Sequence, residues 1–179
     1  MRPYILLATF SAVAAAQAPA WVHSTKDDPL HGISLEVFVL EGKYLTPPTR
    51  GATTTPEMVL RCSAGKLKDG YIAVGAVVET GAHGAPVEMR LDGRFSRAFW
   101  NVGNDGTAVF MDPKMDFDRI VWGTWLPHKR GKGDFVKHEI VGVTEVYGGS
   151  IVMQFEMPDD QEEMLNACTH VRNHRRFAF

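Results

Sequence analysis

Two cysteines that lie far apart in the chain are the residues best suited to chemistry. Cys62 ends the apolar segment MVLRC, and Cys168 lies in LNACTH near the C-terminus, a separation of 168 − 62 = 106 residues. Neither has the ligand spacing of a zinc site, since only His170 follows Cys168 closely. Such a pair forms a disulfide in an oxidising compartment, or remains as two buried thiols in a reducing one. The compartment therefore decides what these cysteines do.

The N-terminus indicates that compartment. The segment MRPYILLATFSAVAAAQAPA has one positive charge at Arg2, then an uncharged apolar stretch, then Ala18-Pro19-Ala20. This order is typical of a secretory signal peptide, and the apolar stretch is short for a membrane span. An N-terminal anchor helix is the alternative. The sequence therefore predicts a signal peptide at residues 1–20, a periplasmic or secreted protein with no transmembrane span after cleavage, and pairing of the two cysteines.

Composition limits the number of domains and the class of partner. The chain has 19 basic and 21 acidic residues, and removal of residues 1–20, which hold one basic residue, leaves 159 residues with a net charge of 18 − 21 = −3. A chain of this size can form one domain with an adequate core. Its near-neutral balance gives no field that would favour nucleic acid. We therefore expect a single domain over residues 21–168, a basic tail over 169–179 and no nucleic-acid partner.

No combination of residues in the sequence predicts catalysis or a bound metal. The patterns of a phosphate-binding loop, a nucleophile elbow and a paired-histidine zinc motif are missing. Asp112, Asp116 and Asp118 lack the glycine and the terminal glutamate of a calcium loop. His170 and His174 have helical i, i+4 spacing without a carboxylate or cysteine partner, which is typical of a solvated tail. The sequence therefore predicts no enzyme activity, no cofactor and no metal site.

A basic segment beside two tryptophans is the candidate contact surface. The segment PHKRGKGDFVKH, residues 127–138, carries four cations. Trp122 and Trp125 differ in strand parity, so we expect one of them to be exposed. Cations beside an exposed aromatic ring suit a partner surface, and a solvated hairpin loop is the alternative interpretation. The predicted partner contacts are Trp125, Lys129, Arg130 and Lys132.

These residues must be positioned mainly by β-strands. Alternating or continuous apolar patterns predict strands at 31–42, 58–63, 71–79, 87–102 with a turn at Asp92-Gly93, 107–111, 119–126 and on both sides of Gly148-Gly149. Loops or turns are predicted at 43–57 and 64–70. Pro158 and the acidic residues after it predict a helix over 158–168. The expected fold is mainly β: an antiparallel β-sandwich or barrel with a C-terminal helix.

Four segments, taken in order, resemble one known family. They are W…DPL…SLEV from Trp21 to Val37, LRC ending at Cys62, VEMRLDG…FWNVGNDGTAVF ending at Phe110, and VYGGSIVMQFEMP…LNAC ending at Cys168. In this order the chain is similar to the VasI/TagO family of type VI secretion-associated exported proteins, over most of residues 21–168. The resemblance implies an accessory role in a contractile secretion apparatus, by binding an envelope or secretion-apparatus protein rather than by catalysis.

Other function classes stay open beside this resemblance. The chain departs from the family pattern at Asn101 and Gly103, where the family tends to show serine, and in a longer, more basic segment from Trp122 to His138. A secreted inhibitor or ligand-binding module would use the region of Trp100, Trp122 and Trp125 together with the basic segment. A cell-wall hydrolase would need a nucleophile or metal constellation that the sequence does not display.

Export predicts a defined mature N-terminus. We expect the exported protein to begin at Trp21, because Ala18-Pro19-Ala20 has the small residues of a cleavage site and a cut after Ala18 would leave Pro19 next to it. Intact-mass analysis of the periplasmic or secreted fraction measures this directly. Soluble exported protein that retains residues 1–20 would contradict the prediction.

Overall fold

The structure is a computed structural model that describes residues 18–29, 32–48, 54–91, 94–112, 139–146 and 149–169. Within these ranges the chain forms ten β-strands and one helix. The strands are β1 (Val22–Asp28), β2 (Ile33–Glu41), β3 (Lys43–Thr46), β4 (Glu57–Ser63), β5 (Lys66–Ala73), β6 (Ala85–Leu91), β7 (Arg94–Val102), β8 (Ala108–Phe110), β9 (Glu139–Val146) and β10 (Gly149–Glu156), and the helix is α1 (Glu162–Cys168).

The described strands form one antiparallel sheet in the order β1-β2-β4-β5-β8-β7-β6-β9-β10-β3. β7 pairs with β8 on one side and with β6 on the other, which joins the two halves of the sheet. β2 lies near one end of this order and β3 at the other, yet only Gly42 separates them in sequence, so the sheet must curl. The result is a curled half-barrel. The predicted fold class, mainly β and antiparallel with a C-terminal helix, is confirmed.

The bend between β2 and β3 requires a glycine. A Cβ atom at Gly42 would lie 2.6 Å from Cε1 of Phe155 and 2.9 Å from the carbonyl oxygen of Gln154, both on β10. The Gly42 N–H donates to the carbonyl oxygen of Pro56 at 2.8 Å, which ties the bend to the start of β4. The chain therefore crosses from one end of the sheet to the other at Gly42, where only a residue without a side chain fits.

The inner face of the curled sheet holds the core. Successive side chains of a strand point to opposite faces, and the register puts Phe38 of β2 opposite Leu60 of β4 and Leu40 opposite Met58. Burial stabilises by roughly 1.5–3 kcal/mol for each large apolar side chain. The largest fully buried side chains come from both halves of the sheet: Trp100, Phe38, Phe155, Leu40, Met58, Leu60, Ile72, Met89, Ile151 and Met153.

Helix α1 covers the core next to β4 and β5. Its residues Met164, Leu165 and Cys168 are buried, and it contacts both strands. Cys168 forms a disulfide with Cys62 of β4, with Cα atoms 5.0 Å apart, which is within the range of native disulfides. The predicted pairing is therefore present, and it fixes the end of the helix to the sheet.

The predicted turn over 64–70 is wrong for most of its length. Only Ala64 and Gly65 turn, with φ angles of 51° and 71°, and β5 already begins at Lys66. Two residues with positive φ are enough to reverse an antiparallel pair. The glycines and lysines of this segment therefore predicted a longer turn than the backbone needs.

The predicted strand over 71–79 is correct only at its start. β5 ends at Ala73, and the backbone then turns at Gly75, which has a φ of 70°. Val78 makes an isolated bridge to Val146 of β9. The apolar residues after Ala73 are mostly buried. The apolar run therefore predicted burial correctly and a continuous strand incorrectly.

The sequence does not predict the two strands at the ends of the sheet. β1 is exposed along nearly all of its length, and its conformation depends on pairing with β2 from Val22 to Asp28. β3 lies inside the proline-rich segment 43–57, which predicts a loop. Helix α1 covers only the last seven residues of the predicted helix over 158–168.

Two predicted hairpins are present. β6 and β7 pair up to Leu91 and Arg94, which flank the predicted Asp92-Gly93 turn, and β9 and β10 pair in the same way beside the predicted glycine turn. The predicted strand 119–126 lies outside the described residues. In the described part of the chain, no helix has both the length and the apolar character that a bilayer crossing needs.

Loss of the disulfide is expected to destabilise the protein. Replacing both Cys62 and Cys168 by alanine removes a covalent link across 106 residues. The free energy of unfolding should fall by roughly 2–5 kcal/mol, the usual range for a small exported domain. Urea unfolding of the variant and the wild type measures the difference, and reduced wild type controls for the lost sulfur packing. Free alkylation of both thiols in native, unreduced protein would show that the bond is absent.

Candidate functional site

A histidine held between two carboxylates joins the first strand to the helix. His23 of β1 contacts Glu36 of β2 through Nε2 at 2.5 Å, and Glu163 of α1 through Nδ1 at 2.7 Å. Its ring stacks on Phe38, with ring centroids 4.5 Å apart and an interplanar angle of 6°. The Thr25 hydroxyl donates to the same Glu36 oxygen at 3.2 Å. We call His23, Glu36 and Glu163 the His23 bridge, since it connects three elements.

These contacts determine the charge of the imidazole. A neutral ring donates from one nitrogen only, so carboxylates at both nitrogens favour the doubly protonated ring. The hydrogen bond to Glu36 is the largest cause that raises the pKa of His23, burial opposes it, and the hydrogen bond and charge of Glu163 raise it further. Both nitrogens are occupied, which leaves no lone pair for a base or a metal ligand. The His23 bridge is therefore a structural contact whose strength depends on pH.

An exposed aromatic surface lies on the outer face of β7. Phe95 and Phe99 have 68% and 56% of their surface exposed. Arg97 lies between them in the sequence and on the same face of the strand. Its Cζ atom is 6.0 Å from the centroid of the Phe99 ring, and its Nε is 3.7 Å from a Glu88 carboxylate oxygen. The ring of His83 approaches Phe99 edge-on at 6.2 Å between centroids. We call Phe95, Arg97 and Phe99 the β7 face.

A half-buried cluster lies across β4, β5 and β8 on the same outer side of the sheet. Arg61 donates to both carboxylate oxygens of Asp69, at 2.6 Å from Nε and 2.7 Å from Nη2. Its guanidinium lies 5.6 Å from the centroid of the Tyr71 ring, which in turn lies 4.9 Å from the Phe110 ring. Burial raises the pKa of Tyr71. Both charged groups have a partner, so the cluster supports the sheet and offers no reactive group.

The predicted partner contacts lie outside the described residues. Trp125, Lys129, Arg130 and Lys132 belong to 113–138, so their role stays a prediction. Across the described ranges, no three His, Cys, Asp or Glu side chains are grouped as a metal ion would require.

Sequence reasoning missed both the β7 face and the His23 bridge. The β7 face lies in a predicted strand, and its alternation of aromatic and arginine residues assigns all three to one side, so period-two reading could have found it. The His23 bridge has no comparable signal. His23 meets Glu36 only through the pairing of β1 with β2, and it meets Glu163, 140 positions away, only through the packing of α1.

Comparison of the chain with models of protein families, with curated proteins and with solved structures finds no match. Function must therefore be inferred from the described residues, above all from the β7 face, the disulfide and the surroundings of the His23 bridge.

The His23 bridge is expected to weaken as the pH rises. The pKa of His23 is raised in the folded protein, so its contribution is complete below the unfolded pKa of about 6.5 and is lost as the pH rises through the folded pKa. The free energy of unfolding should fall by at most about 1 kcal/mol over this step, because the three side chains are partly exposed. NMR titration of the imidazole and urea unfolding over the same pH range measure both quantities.

His23→Gln is the matched variant, because glutamine keeps a polar side chain and cannot ionise near neutral pH. This variant should lose the pH step in stability, whereas His83→Gln, which changes an exposed histidine outside the bridge, should keep it. An unchanged step in His23→Gln, or a His23 pKa at or below 6.5, would show that the bridge does not work in this way.

Proposed function

We propose that the protein is an exported accessory factor of a type VI secretion system, and that it acts by binding another envelope protein rather than by catalysis. The β7 face is the observation that supports binding. Two phenylalanines with 68% and 56% of their surface exposed flank an arginine on one strand. Aromatic residues and arginine are enriched in protein interfaces and among the residues that contribute most to binding.

The position of the β7 face suits a preformed contact surface. β7 pairs with β6 from Arg94 to Trp100 and with β8 at Asn101 and Val102, so the sheet holds its backbone and fixes the side chains that a partner would contact. Trp100 of the same strand is fully buried and anchors it to the core. A side-chain surface on a paired strand loses little conformational freedom when a partner binds, which favours affinity.

Two further observations support the cellular part of the proposal. The disulfide is compatible with an oxidising compartment, and this agrees with the predicted signal peptide at residues 1–20. The resemblance to the VasI/TagO family is the basis for naming a type VI secretion system. The segment with Trp125, Lys129, Arg130 and Lys132 is proposed as a second contact region.

Replacing both Phe95 and Phe99 by serine tests the β7 face. Because both side chains are exposed, the fold should be kept, and affinity for the envelope partner should fall at least about tenfold. A photo-crosslinking residue at position 97 in producing cells identifies the partner, and purified proteins then give the affinity. Leu45→Ser with Val77→Ser is the control, since these residues are 51% and 60% exposed elsewhere on the surface and their loss should leave binding unchanged.

Secretion in the producing cell tests the assignment to a type VI system. Deletion of the protein should reduce type VI secretion, the wild type should restore it, and the double serine variant should not. Normal secretion in the deletion strain would remove the secretion-system part of the proposal. Turnover of peptidoglycan that disappears when a single histidine or aspartate is changed would replace the binding role with an enzymatic one.

A further inference from the structure

Two depressions lie side by side where the chain enters β1. The first, of about 520 Å³, is lined by Trp21 and Phe38 and by residues at the start of α1. The second, of about 540 Å³, is lined by Val22 and Leu40 and extends to the bend at Gly42. Residues 18–20 line both depressions and are exposed, so they form a ridge between them.

The rims of both depressions are acidic. Among the described residues that line them, Lys43 is the one cation, and it pairs with Glu156 at 3.2 Å. Apolar side chains lie beside these charges, which allows a long cationic side chain to bury its carbon stem and direct its charge to the rim. The acidic lining residues are Glu41, Glu156, Asp159, Asp160 and Glu163.

The chain after the ridge is held in place independently of the ridge. Trp21 packs against the core, and its indole N–H is buried without an acceptor among the described residues. β1 pairs with β2 from Val22 onward, and the His23 bridge fixes the strand to α1. A cut after Ala20 would therefore remove the ridge and leave the start of β1 where it is.

We propose that cleavage after Ala20 joins the two depressions into one trough that binds an extended, basic peptide segment of a partner protein. The inference rests on the proposed export, which supplies the cut. The cut adds the α-ammonium of Trp21, yet among the described residues that line the depressions the carboxylates still outnumber the cations. Residues 18–20 are themselves a short piece of chain outside the helix and the strands, so the space that they leave has the size of a peptide segment. A bound carbonyl oxygen could also accept the Trp21 indole N–H.

Two purified forms with defined N-termini test the trough, one beginning at Trp21 and one beginning at Ala18. The probe is a fluorescein-labelled heptapeptide with the sequence Lys-Lys-Ala-Pro-Ala-Lys-Lys, and its counterpart has glutamate in place of lysine. Fluorescence anisotropy should show that the Trp21 form binds the lysine peptide at least about tenfold more tightly than the Ala18 form, and that salt weakens this binding. The glutamate peptide should not bind. The indole N–H signal of Trp21 in NMR spectra should shift on binding.

The matched variants change charge without changing shape. Asp159→Asn with Asp160→Asn removes two rim charges, while asparagine at 160 keeps the oxygen that accepts the Glu162 N–H at 3.1 Å. This pair should bind the lysine peptide roughly three- to tenfold more weakly. Asp27→Asn with Glu79→Gln removes two exposed charges outside the trough and should bind as the wild type does.

Equal binding by the Trp21 and Ala18 forms, or unchanged binding by the Asp159 and Asp160 variants, would overturn the proposal. An exported protein that keeps residues 18–20 would also overturn it, because the trough would not form in the cell. Neither peptide result bears on the β7 face, which is tested by its own variants. Failure of the trough and failure of the proposed function are therefore distinguishable.

Discussion

The single-residue bend at Gly42 is the constraint on which the rest of the structure depends. β2 belongs to one half of the sheet and β3 pairs with β10 in the other, so one residue must carry the chain from half to half. A side chain at Gly42 would meet the ring of Phe155, a fully buried core residue. The curl is therefore set by a local contact rather than by a long connection. The opposing core residues meet because the two ends of the sheet are brought together at this point.

Helix α1 depends on contacts of two different kinds. A helix of seven residues is too short to be stable alone in water. Its last residue is held by the disulfide to β4, and its second residue, Glu163, contacts His23 of β1. The first contact is covalent and does not depend on pH, whereas the second depends on the charge of an imidazole. The early part of the helix, which borders the acidic depression, therefore has a pH-dependent contact beside the burial of Met164, whereas its end has a covalent one.

What could be predicted depended on the range of the interactions. The alternation of apolar and polar residues within β2, β4 and β6 is a local feature, so the sequence predicts these strands directly. The same is true of the hairpin between β6 and β7. β1 has no apolar pattern of its own and exists only as a partner of β2, so its sequence cannot reveal it. The disulfide could be inferred because two cysteines permit one pairing. The His23 bridge could not, because its three residues meet only after the sheet and the helix have packed, whereas the β7 face could have been found from parity alone.

The disulfide also has a consequence for the order of events during biosynthesis. A ribosome makes the chain from its N-terminus, so Cys168 is made 106 residues after Cys62. Cys62 must therefore remain a free thiol while β5 to β10 are made, and the disulfide can close only after α1 has been made. Since the chain contains no third cysteine, no wrong intramolecular bond can form during this delay. Oxidation of this pair therefore follows the synthesis of all the described strands, and it requires no reshuffling of bonds.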